Sequence, residues 1–195
     1  LEAIRRATTD MTCAVMLEPV QGEGGVIMPA EGYLQGVREW CDQHGILLIF
    51  DEIQTGLGRL GTLFGYQSFG VEPDVMTLAK GLGGGVPIGA FLAKEQYCVL
   101  EPGDHGSTFG GNALTCAAAY ASTQYLVDND VSAQAKAAGV HMVKKLEGLR
   151  ARQPAVVDIR GLGLLLAVEF THDLAAQVVL ACSQEGLLLN PVRPN

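Results

Sequence analysis

Charge and aromatic side chains are scarce in this chain. Asp, Glu, Lys and Arg make up 17% of its 195 residues, and Phe, Trp and Tyr 6%. The 13 basic residues against 21 acidic ones leave a formal net charge of −8, and no basic stripe gathers anywhere. A nucleic-acid backbone or an anionic membrane surface needs such a stripe, so neither is an expected partner. No apolar run reaches membrane-spanning length and no stretch reads as a signal peptide, so the compartment expected is the cytoplasm. Cysteine is sparse too: Cys13, Cys41, Cys98, Cys116 and Cys182 are odd in number and form no CxxC pair. Scattered thiols in apolar contexts read as reduced residues, not as disulfides or zinc ligands. His44, His141 and His172 have no metal-ligand spacing, and no metal is expected. A P-loop lysine pattern and a GxSxG nucleophile elbow are also missing.

What the chain has is apolar residues, 48% of the total, and 25 glycines. The length suits one large domain, or one domain with part of another. Short apolar runs at Cys13–Leu17 and Ile46–Phe50 read as buried strands, Val75–Ala79 is another short run, and Ile88–Ala93 is a further strand candidate. Leu34, Val37 and Cys41 fall on one face of a helix over Glu31–His44, with Gly45 as its stop. Helices are also predicted over Asn112–Val127, Val131–Arg150 and Leu174–Gln184. Strands are predicted over Gly163–Phe170 and from Leu187 to Leu189. Apolar strands alternating with helices predict an α/β fold with a mostly parallel sheet. The Ala-rich helix is expected to close that domain, with a smaller α+β unit after it. The ends read as cut: Leu1–Thr9 looks like the tail of a helix, and the chain stops at Arg193-Pro194-Asn195.

Asp51 and Lys80 each follow a buried apolar run. In open α/β sheets ligands sit outside the carboxyl ends of the strands, so both groups are expected in one crevice. A carboxylate and an amine there suit the two ends of a pyridoxal ring, and they equally suit a plain ion pair at a strand end. Gly56-Leu57-Gly58-Arg59-Leu60-Gly61 matches the GxGxxG pattern, but it stands apart from the preceding strand and opens no amphipathic helix. Gly83-Gly84-Gly85 leaves room for backbone to approach a ligand beside Lys80, or forms a flexible connection. His105 to Asn112 precedes a helix, where hydroxyls and free amides serve either an anion or a cap.

Four stretches together resemble the class-III, fold-type-I aminotransferases: Glu18-Pro-Val-Gln-Gly-Glu-Gly-Gly25, Asp51-Glu-Ile-Gln-Thr-Gly56, Ala79-Lys80-Gly81 and His105-Gly-Ser-Thr-Phe-Gly-Gly-Asn112. The resemblance covers essentially the whole chain. It implies pyridoxal 5'-phosphate as cofactor, with Lys80 as the catalytic lysine bonded to its aldehyde. It implies that Asp51, Glu52, Ile53, Gln54 and Thr108 bind the cofactor, Asp51 at the ring nitrogen, Gln54 at the ring hydroxyl and Ile53 on one ring face. Thr108 would reach the phosphate of a partner subunit's cofactor, so a homodimer is implied. Ser107 and Glu23 would lie near the substrate. The reaction implied moves the terminal amino group of N-acetylornithine, or of a close analogue, to 2-oxoglutarate. Ornithine, succinylornithine and 4-aminobutyrate are the alternative donors, and a folded but inert fragment is the alternative of another class. Residues 1–129 are expected to be the C-terminal part of the large cofactor-binding domain, and 130–195 a truncated small domain. The family's phosphate loop and its substrate-carboxylate arginine are expected outside these residues, so the isolated chain is expected to turn over weakly.

Overall fold

The computed structural model describes residues 1–194. Strands β1 (Ala14–Leu17), β2 (Leu47–Asp51) and β3 (Val75–Leu78) run parallel, and β4 (Ala90–Ala93) closes the sheet antiparallel to β3, in the order β1-β2-β3-β4. A short helix α1 (Glu2–Ala7) precedes β1. Helix α2 (Tyr33–His44) turns Leu34, Val37 and Cys41 onto Leu48 and Phe50 of β2, and all five are nearly or fully buried. This is the stripe expected from the spacing. Gly45, at φ 64°, ends α2: its N–H donates to Asp42 and the Ile46 N–H donates to Cys41. That pair of bonds is a Schellman motif, and Ile46 enters the same core.

An ion network around the buried Asp74 stitches these elements together. Asp74, just before β3, accepts from the Leu48 N–H at 2.9 Å, from Arg38 of α2 at 2.8 Å and from Lys94 after β4 at 3.4 Å. Burial alone would push the Asp74 carboxyl up, but the Leu48 amide and the Arg38 guanidinium outweigh it and hold the group below its ordinary range.

Helix α3 (Ala113–Asp128) starts where Asn112 accepts from the Thr115 N–H at 3.1 Å. Helix α4 (Val131–Arg150) packs on the antiparallel hairpin of β5 (Val156–Leu162) and β6 (Leu165–Phe170), and α5 (Ala175–Gln184) follows. Three backbones meet beside this hairpin. A Cβ on Gly163, in its turn, would stand 2.5 Å from the Arg59 carbonyl oxygen, and one on Gly139 of α4 would overlap the Gly163 carbonyl. Gly61 likewise lies under Lys136 of α4. The Gly56–Gly61 pattern is therefore packed against the second half of the chain and opens no helix.

Several expectations differ from the structure. The helix read from Glu31 starts at Tyr33 and the strand read from Ile88 at Ala90. The strand read over Gly163–Phe170 starts at Leu165, and its partner β5 was not predicted at all. Leu187–Leu189 forms no strand; it has no ladder partner among the described residues, and Leu188 is exposed. The five cysteines are all free thiols. Among the described residues no helix is long and apolar enough to cross a membrane, and no cluster of potential metal ligands occurs.

Candidate active site

Parallel neighbours β2 and β3 end at the same edge, which brings the segments carrying Asp51 and Lys80 together. Asp51 is half-buried, and its Oδ1 accepts the Ile53 N–H at 3.0 Å, which turns the chain out of the strand. Its register partner on β3 is Thr77, whose Oγ1 is buried with no hydrogen-bond partner among the described residues. Register partners project from the same face of a sheet, so the orphaned hydroxyl and the carboxylate share a side.

Lys80 sits two residues past β3 in left-handed backbone, φ 46°, and opens a turn of 3-10 helix. An L-residue held there costs roughly 1–2 kcal/mol. Its exposed side chain lines a cavity of about 270 Å³ with Ile53, Gln54, Leu57, Arg59 and Leu165. Leu57 in the same wall is also left-handed, at φ 54°. Strain of this kind collects at working sites. Lys80, Ile53 and Gln54 are thus in one wall, and Asp51 stands beside it without lining it. A larger cavity of about 390 Å³, between α1 and α2, contains none of the expected site residues.

Glu52 does not fit the expected cofactor contact. It is 1% exposed, and its oxygens accept the Gly65 N–H at 2.6 Å, the Tyr66 N–H at 2.7 Å and the Thr55 hydroxyl at 2.9 Å. Burial pushes its carboxyl up against the pull of those three donors. Alternation along the strand sends Asp51 to one side and Glu52 to the other, so Glu52 anchors the loop at Gly65.

The Glu18–Gly25 stretch turns back beside this wall. Glu18 accepts the Gly22 N–H at 2.9 Å, and Gly22 lies directly against the Gln54 amide. Glu23 is exposed on this turn. Ser107 and Thr108 are exposed ahead of α3, outside the cavity wall, and Ser107 Oγ accepts the Gly110 N–H at 2.9 Å. Arg160 and Arg193, which bind the carbonyls of the glycine turn, were missed by sequence reasoning. No local signal marks either one, since their partners lie more than a hundred residues away.

The sequence profile described as aminotransferase class-III matches residues 1–195. The chain belongs to the class-III aminotransferases. Over 195 residues it is 46% identical to the acetylornithine aminotransferase of Caldanaerobacter subterraneus subsp. tengcongensis, covering 100% of this chain and 50% of that one. The ornithine aminotransferase of Plasmodium yoelii superposes with a TM-score of 0.93 at 38% identity, over 100% of this chain and 53% of that chain. An ornithine aminotransferase from Toxoplasma gondii, solved with partial occupancy of PLP at its active site, gives a TM-score of 0.88 at 41% identity, over 93% of this chain and 44% of that one. The chain thus spans about half the length of the class-III aminotransferases it matches.

Proposed function

We propose that the protein containing this chain transfers the terminal amino group of N-acetylornithine, or a close analogue, to 2-oxoglutarate, using pyridoxal 5'-phosphate held at the Asp51–Lys80 edge. The observation that carries the proposal is the delivery of Asp51 and Lys80 by adjacent parallel strands to one edge, with the Lys80 amine in an open cavity. The 46% identity to an acetylornithine aminotransferase supports the donor.

The residues present suit the ring of this cofactor. Among the described residues no donor meets Asp51 Oδ2 and none meets the buried Thr77 hydroxyl on the same face, and Gly56 and Gly81 remove side chains from the wall. Bound there, the cofactor supplies an electron sink for the bonds of the substrate carbon. Asp51 would accept a hydrogen bond from the ring nitrogen and favour its protonated form, because a carboxylate beside a cation stabilises the charge. Gln54, held in place by Gly22 beneath its amide, would donate to the ring hydroxyl. Ile53 covers one ring face. Lys80 Nζ would bond the cofactor's aldehyde and, when free, would be the base that takes and returns a proton at the substrate carbon.

In the same reading Thr108 binds the phosphate of a partner subunit's cofactor in a homodimer, while Ser107 and Glu23 border the substrate. Exposed apolar residues Phe91, Phe109, Leu114 and Tyr120 suit coverage by a partner or by the rest of the protein. Residues 1–129 are read as part of the large domain, 130–195 as part of the small one, and the location as cytoplasmic.

The test uses the full-length protein. Lys80→Ala is expected to cost at least about 10²–10⁴-fold in amino transfer through loss of the general base alone. Borohydride reduction with the cofactor present is expected to label Lys80. Near-normal turnover by the variant, or label on another lysine, would overturn the assignment. A donor panel of acetylornithine, ornithine, succinylornithine and 4-aminobutyrate decides the substrate.

A further inference from the structure

We infer that Arg160 is a positioning residue, which clamps the glycine turn Gly22–Val26 so that Gln54 keeps its place in the wall of the Lys80 cavity. The inference rests on the reading of that cavity as the active site. Arg160 lies on β5, and its side chain is 19% exposed. Its Nε donates to the Gly25 carbonyl at 3.0 Å and to the Val26 carbonyl at 3.1 Å, and its Nη2 to Gly25 at 2.8 Å. Nη1 is spent on Asp158 at 3.0 Å and on Glu169 of β6. The two carboxylates fix the plane of the guanidinium, and the fork then meets two successive carbonyls. Lysine offers one point charge and cannot copy that grip.

The turn needs holding. Val26, a β-branched residue, is left-handed at φ 50°, so the backbone is strained where the fork binds, while Gly25 takes its φ of 115° at no such cost. Arg193 adds a second grip, donating from Nη2 to the Gly24 carbonyl. At the near end of the turn, Gly22 touches the Gln54 amide, and Glu23 follows it. A continuous chain of contacts therefore runs from the β5–β6 hairpin through the turn to the cavity wall. Released from the fork, the turn relaxes at Val26, and the Gln54 amide loses its backing.

The experiment uses the full-length protein with pyridoxal phosphate. Arg160→Lys is expected to weaken cofactor affinity about tenfold, equivalent to ~1.4 kcal/mol. Amide exchange is expected to speed up in residues 21–28 and to stay unchanged in β1–β3. In a cycle with Gly22→Ala, the two losses are expected to be less than additive, since both act through Gln54. Unchanged affinity, additive losses, or faster exchange spread evenly over the chain would overturn the inference; the last would make Arg160 a general stabiliser. A parent protein that takes up no cofactor at Lys80 would defeat the proposed function instead, and localised exchange in residues 21–28 would still decide whether the clamp exists.

Discussion

Gln54 lies across Gly22 so closely that a Cβ on Gly22 would stand 2.7 Å from the Cδ and Nε2 of its amide. The neighbour is the far end of a flexible side chain, so Gly22→Ala displaces the amide without breaking the fold. The expected outcome is a stability change within about 1 kcal/mol, and a weaker hold on the cofactor. Thermal unfolding and a cofactor titration of the full-length protein check the two halves. Unchanged affinity would show that Gln54 has no part in binding.

Asp51→Asn separates charge from shape. The amide oxygen can still accept the Ile53 N–H that Oδ1 accepts now. Folding should therefore change little, while amino transfer should fall about 10²–10³-fold, the scale of removing one preorganised electrostatic partner. Steady-state rates beside a urea titration measure both. A parental rate in the variant would leave Asp51 a structural residue.

Asp74→Asn should destabilise the chain by about 3 kcal/mol at pH 7, because Arg38 and Lys94 lose a buried counter-charge. The folded carboxyl sits below its ordinary value, so its contribution is complete above about pH 4 and fades as pH falls through the folded value. The gap between parent and variant in urea midpoint should accordingly shrink in acid. A gap that grew below pH 4 would contradict the direction.

Gly163→Ala is expected to cost about 3 kcal/mol, from left-handed backbone at φ 58° and from a Cβ 2.5 Å from the Arg59 carbonyl oxygen. Here the neighbour is backbone and cannot swing aside. Urea unfolding reads the loss, and a variant as stable as the parent would show that the hairpin and the Arg59 loop are not packed together.

Much of the sheet was legible because it is local. The apolar runs of β1, β2 and β3 and the Leu34–Val37–Cys41 stripe announce themselves over a few residues. The placement of Asp51 and Lys80 at the ends of neighbouring strands was legible for the same reason, each following a run. What escaped was set by distant partners. β5 carries Asp158, Arg160 and Gly161, an unpromising strand until β6 pairs with it. Arg160 points at carbonyls that exist only because the turn at Gly25 has folded. Glu52 sits beside Asp51 in one motif, yet the pleat turns it to the interior, a difference that adjacency in sequence hides. Leu187–Leu189 reads as a strand by composition, but a strand is completed by a neighbour, and composition is silent about neighbours.

With the role proposed for Lys80, its left-handed backbone sets stability and chemistry against each other at one position. At φ 46° glycine would be the more comfortable residue, by roughly 1 kcal/mol. Laboratory evolution that rewarded heat resistance alone would drift toward glycine at position 80 and breed sturdier, silent proteins. Only selection that also asks for turnover would keep the lysine, and such a population would carry its compensating gains elsewhere in the chain.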